Sequence, residues 1–292
     1  MPGRGDSLKG ATLATSTSTS TSTPTPATRH LSRFDSLIVP HDLSGLADRA
    51  VPIVGGLARR GGLSVRLVTT ASPGLDLTQD RTDLAAHARR IHGCPVTPVV
   101  LESNEPADEL AEFARRHPGA LLCVGTHGRT ALGELVLGSM TDDLLHHHLG
   151  PVLVVGPRVD HDVALSDNLL VGVDEYALES SLFDVANAWQ LTFGGTIELF
   201  EAVVRTRPTA KLEPTPELRE AQSLAPTALT TIVESHDPVS AILDAASASD
   251  SVIAVASHLR SGVERAVLGS VAWEVVRWSP TPVLVVPGER TS

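Results

Sequence analysis

From Phe34 onward the chain alternates two kinds of hydrophobic pattern. Short, wholly apolar runs read as strands buried on both faces. Longer stretches with apolar residues every three or four positions read as helices with one buried side. Taken in order, the pattern predicts a strand over 36–39 and a helix over 44–60, stopped by Gly61 and Gly62. A strand over 65–69, a helix over 84–91 ending near Gly93, and a strand over 96–101 follow. Next come a helix over 107–116 closed by Pro118 and Gly119, a strand over 121–124, a helix over 141–148 and a strand over 152–155. A second series has strands near 169–173, 196–200, 229–233, 252–255 and 283–286. Apolar strands separated by helices require a parallel sheet covered on both faces, and right-handed crossovers make it doubly wound. In such sheets ligands sit beyond the carboxyl ends of the strands, where the strand order reverses.

The two series are copies of one unit. VVLESNEPADELAEFA at 99–114 corresponds to TIVESHDPVSAILDAA at 231–246, so that Glu102, Ser103 and Pro106 return as Glu234, Ser235 and Pro238 at an offset of 132. Asp42 returns as Asp174 at the same offset. LVLGS at 135–139 returns as AVLGS at 266–270 and PVLVV recurs, both at an offset of 131, which leaves one small indel over a whole duplication. The expected organisation is a tail over 1–33, a first domain over 34–158, a linker over 159–167 and a second domain over 168–288. The tail is expected to be disordered, because its Ser/Thr-rich centre is too polar to offset the entropy of ordering it.

The densest chemistry lies after the fourth strand of the first repeat, in CVGTHGRTALGELVLGSMTDDLL. Gly125 and Gly128 are followed, after a fixed spacer, by Gly138, Ser139, Met140 and Thr141, in the pattern G-x2-G-x9-G-S. Glycines there would let the backbone turn with positive φ and approach a ligand with no Cβ in the way. Backbone N–H groups and a hydroxyl at a helix start make an anion site suited to phosphates. Arg129, always charged, is placed to meet phosphate oxygens. The plainer alternative is a tight strand-to-helix connection with no ligand, and for Asp42 a helix N-cap that Ser44 could equally supply.

The spacing resembles the ATP-binding signature of the universal stress protein family, and the likeness covers both repeats, about 34 to 288. The resemblance implies two tandem, Rossmann-like domains of the adenine nucleotide α-hydrolase-like type, with ATP, accompanied by Mg2+, as ligand. It implies that Pro40, His41 and Asp42 lie by the nucleoside and Thr70 near the adenine. Gly125, Gly128, Gly138 and Ser139 would hold the phosphates. It also implies an intrachain pseudo-dimer in which the two PVLVV strands meet, with a homodimer as a further option. In the second repeat Ala256 and Leu259 replace the first glycine pair, while Asp174, Gly269 and Ser270 remain. That repeat is expected to bind ATP weakly or not at all.

Charge narrows the classes. Lys and Arg total 23 against 34 Asp and Glu, a net charge of −11, which opposes the counterion-release attraction behind nucleic-acid binding. No run approaches the length of a membrane span, and a cytoplasmic protein is expected. Cys94 and Cys123 cannot build a disulfide framework, and Cys123 reads as a small core residue. His146, His147 and His148 are consecutive, so on a helix they point about 100° apart and do not converge on a metal. Three functions remain. They are a nucleotide-dependent stress-response module with an unknown protein partner, a nucleotide-free interaction module, and an ATP-hydrolysing or ATP-transferring enzyme. The last would need a Ser-Gly-Gly run where the chain has VPHDLSG.

Overall fold

Each apolar run becomes a strand whose side chains alternate between two covered faces. The structure, a computed structural model, describes residues 33–44, 47–126, 141, 143–145, 150–159, 167–178, 180–204, 212–259, 266–267 and 269–287. The tail (Arg33 apart), most of the linker, the histidine run, and Gly128, Arg129, Gly138, Ser139 and Met140 lie outside the described residues.

In the first repeat β1 (Ser36–Pro40) leads through a 3₁₀ turn (Ala47–Ala50) to α1 (Val51–Gly61). Then follow β2 (Ser64–Ala71), α2 (Thr78–Ala88), β3 (Val96–Glu102), α3 (Pro106–Arg115), β4 (Ala120–Gly125) and β5 (Val152–Val155). The second repeat opens with β6 (Leu169–Gly172), α4 (Glu175–Leu178), α5 (Leu182–Phe193), β7 (Ile197–Val203) and α6 (Pro216–Leu224). It continues with β8 (Leu229–Glu234), α7 (Pro238–Ser249), β9 (Val252–Leu259), β10 (Ala266–Val267), α8 (Ser270–Trp278) and β11 (Val283–Pro287).

An 11-stranded sheet runs β3-β2-β1-β4-β5-β11-β9-β6-β7-β8, with β10 a short antiparallel partner of β9. Within each half the path is parallel, and the halves join where β5 and β11 pair antiparallel, Leu153 opposite Leu284. Along β1, Leu37 and Val39 face one core while Ile38 faces the other; Leu121 and Cys123 of β4 alternate with Leu122 and Val124 in the same way. Both cores draw on both repeats. Phe34 packs on Phe193 across the repeats, and its N–H donates to Thr192 Oγ1 at 2.9 Å. No helix among the described residues is long and apolar enough to cross a membrane.

Two helix starts differ from expectation. The helix expected from residue 44 begins at Val51, after the 3₁₀ turn, with Pro52 in its first turn. Proline has no N–H to give, so it fits the first helical turn and is excluded from the interior that a start at 44 would require. Conversely α2 starts at Thr78, ahead of the expected residue 84. Its polar first turns show no apolar period, but Asp76 Oδ1 accepts from the Thr78 N–H at 3.0 Å and from its hydroxyl at 2.6 Å. The Gly61-Gly62 stop stands as expected: Gly62 at φ +64 closes α1 by donating to the Ala58 carbonyl.

Candidate functional site

At the carboxyl ends of β1 and β4 a cavity of about 280 Å³ opens between the elements of the first repeat. Pro40, His41, Asp42, Thr70, Gly125 and Thr141, all singled out from sequence, line it, and Thr69, Asp80, Val68 and Leu110 contribute further wall. The remaining signature residues fall in the undescribed segment that follows Thr126.

The end of β4 differs from expectation. Gly125 does not take a positive φ; it is the last residue of β4 in register with Val155. Its small size matters instead, since an added Cβ would stand 3.2 Å from the Ala50 Cβ. The strand end and the 3₁₀ turn therefore approach closely, and the extended backbone there suits any residue.

Asp42 is exposed, and its Oδ1 accepts from the Ser44 N–H at 3.0 Å, a local turn that shapes the chain after β1. Ser44 Oγ accepts from the Ala47 N–H at 3.3 Å and thereby opens the 3₁₀ turn. Between them Leu43 sits at φ +61, a left-handed conformation that disfavours a leucine. What holds it is His41, 3% exposed, whose Nδ1 accepts the Leu43 N–H at 3.0 Å.

That bond assigns the histidine tautomer. With Nδ1 accepting, the proton sits on Nε2 and donates to Asp48 Oδ1 at 3.2 Å. The same oxygen takes a 2.7 Å bond from His87 Nδ1, and Arg90 pairs with Asp48 Oδ2. Burial lowers the pKa of His41, and the neighbouring His87 lowers it further, against the opposing pull of Asp48 and Asp42. For Asp48 burial acts upward, but the hydrogen bonds from His87 and His41 and the charge of Arg90 outweigh it, so its carboxyl lies below the usual range.

His41, Asp48 and His87 bring ligand-type atoms within 4.8 Å of one another. A metal-bound imidazole donates from its other nitrogen, whereas His41 Nδ1 faces a backbone donor. The trio is therefore arranged as a hydrogen-bonded network around a carboxylate and not as a metal centre. Sequence reasoning missed Asp48, His87 and Arg90. No local spacing could reveal them, because Asp48 is 39 residues from His87 and 42 from Arg90.

The second repeat holds an equivalent cavity of about 460 Å³ at the end of β6, beside Val255 and Ala256 of β9. Asp174 and Ser270 line it; Gly269, also named from sequence, is the N-cap residue of α8. Asp174 is exposed, and its Oδ1 accepts from the Ala177 N–H at 2.8 Å. At the offsets of the repeat, Val173 stands for His41, Phe200 for Val68, Ala202 for Thr70, Ala256 for Gly125 and Ala272 for Thr141. β4 ends at Gly125, but β9 runs on to Leu259, and Ser257 pairs with Pro287 of β11.

Two doubly wound α/β repeats in one sheet, each with a cavity where its strand order reverses, define the class. A model of the universal stress protein family matches residues 33–156 and again 168–287. The chain belongs to the universal stress protein family. It is 30% identical over 186 residues to a universal stress protein of Mycolicibacterium smegmatis, covering 57% of this chain and 61% of that one. A universal stress protein of Methanocaldococcus jannaschii is 40% identical over 50 residues, 17% of this chain and 29% of its own length. The chain thus spans less than two thirds of the length of these curated relatives. A solved universal stress protein of Archaeoglobus fulgidus has the same fold, with a TM-score of 0.62 and 20% identity over 86% of this chain and 98% of that chain.

Proposed function

We propose that the first repeat binds ATP and that the protein is a nucleotide-dependent stress-response module. The observation that supports this is the cavity between β1 and β4, which gathers Pro40, His41, Asp42, Thr70, Gly125 and Thr141. Val68, Leu110, Val124 and Leu144 supply apolar wall for the base, and the hydroxyls of Thr69 and Thr70 lie beside it. Asp42, held by its turn at the rim, is placed to accept hydrogen bonds from ribose hydroxyls. A volume of about 280 Å³ suits the nucleoside. The Gly128–Ser139 part of the signature and Arg129 would hold the triphosphate, and Mg2+, where it accompanies the nucleotide, would offset part of its negative charge. No lysine lies in that segment, so backbone N–H groups and Arg129 carry the anion.

The second repeat is a structural partner that does not take the triphosphate, because the glycine pair and the polar wall are gone. The domains accordingly run 34–158 and 168–288, joined by 159–167. ATP occupancy selects the surface offered to a protein partner in the cytoplasm, where the nucleotide is abundant.

Mass spectrometry of small molecules released on denaturing the purified chain tests this directly. We expect one adenine nucleotide per chain, and a rise in melting temperature when ATP is added to stripped protein. Neither a released nucleotide nor a thermal shift would leave the nucleotide-free module standing.

A further inference from the structure

The cavity of the second repeat is larger than that of the first and differs in chemistry. Phe200, Ile242, Val255 and Ala272 form buried wall, with Val173 and Ala202 beside them. At His41, Thr70 and Thr141 the first repeat carries a polar side chain; the second carries Val173, Ala202 and Ala272. Among the described residues, the polar side chains lining it are Asp174, Tyr176 and Ser270, all exposed, and they mark its open side. Tyr176 is 38% exposed there.

We infer that this cavity is a separate site for a small, uncharged or cationic organic molecule with an apolar, ring-sized body and a hydroxyl or amine at one end. Its volume of about 460 Å³ falls within the range of small-molecule sites. Among the described residues, the interior wall of Phe200, Ile242, Val255 and Ala272 offers no side-chain partner to a buried phosphate or carboxylate, and desolvating such a group unpaired is costly; the start of α8, Ser270 and Val271, lies on the exposed side. Asp174, the one charged side chain among the described lining residues, repels anions and attracts amines. Phe200 presents an aromatic surface to a ring in the interior. At the mouth, Tyr176 and Ser270 supply hydroxyls and Asp174 a carboxylate to orient the polar end. None of this depends on whether the first repeat binds ATP.

The test uses the full chain and N-phenyl-1-naphthylamine, an uncharged amine carrying a naphthyl and a phenyl group, which fluoresces in apolar surroundings. We expect saturable enhancement with one site per chain, undisturbed by millimolar ATP. Ala202→Trp and Ala272→Phe fill the cavity from two different elements of its wall, one on β7 and one on α8. Each is expected to weaken the probe at least tenfold, while its melting temperature confirms that it folds. If one fails to fold, the other, or the smaller Ala202→Leu, decides. Absence of saturable binding, unchanged affinity in the folded variants, or displacement by ATP would overturn the inference.

Discussion

The two cavities occupy the same place in the same fold, yet they present different chemistry. In the first, His41 is buried against Asp48, which His87 and Arg90 also hold, and the network fixes a strained turn at Leu43. In the second, Val173 replaces that histidine, and the positions of Asp48, His87 and Arg90 carry Ser180, Arg219 and Gln222. β4 stops at Gly125, whereas β9 continues to Leu259 and pairs with β10. Topology thus determines where a ligand can sit, since strand ends diverge at the reversal of strand order. Wall side chains determine which ligand it is. A duplicated fold can keep its core and still change the recognition chemistry of one copy.

Making the first site resemble the second should be most damaging at the phosphates. Gly128→Leu installs the side chain that the second repeat carries at Leu259. ATP affinity should fall more than a hundredfold, about 2.7 kcal/mol, with the melting temperature of the nucleotide-free chain unchanged. Titration calorimetry reads the first quantity; an affinity equal to wild type would move the phosphates elsewhere. Asp42→Asn should have a smaller effect, roughly tenfold or about 1.4 kcal/mol, while Asp174→Asn in the other repeat leaves ATP affinity alone. Equal losses from both substitutions would mean that the repeats share the nucleotide.

The smallest effect concerns pH. Because the folded pKa of His41 lies below 6.5, the unfolded chain takes up that proton first. Stability should therefore fall as pH drops through 6.5 toward the lower folded value. Asp48 works further down: its folded pKa lies below 3.8, so its contribution is present above that pH and is lost in stronger acid. His41→Val, which installs the residue of the second repeat, should flatten the melting temperature between pH 7.5 and 5.5. Melting curves equally steep in wild type and variant would assign the acid sensitivity to other groups.

The parallel sheet, its duplication and the position of the first cavity were legible along the chain. Strand runs such as 121–124 are apolar on both faces, and the repeat offset places each equivalent residue. These signals are local, or compare one stretch with another, so no three-dimensional information is needed. The start of α1 was misplaced because Pro52 acts through backbone chemistry that an apolar period does not register. The start of α2 lies ahead of the expected residue because its first N–H is held by Asp76, outside the periodic segment. Gly125 was read as a turn glycine, when its role is to let the Ala50 methyl come close.

Sequence alone determined the class of fold, the doubling and the residues at the first strand ends, because burial pattern and repetition are written residue by residue. Only the folded chain decided that Asp48, His87 and Arg90 would converge behind His41, and that the second cavity would be larger and lined by apolar side chains. Those properties depend on packing between distant segments, and no spacing along one strand or helix encodes a contact that α2 makes with the turn before α1.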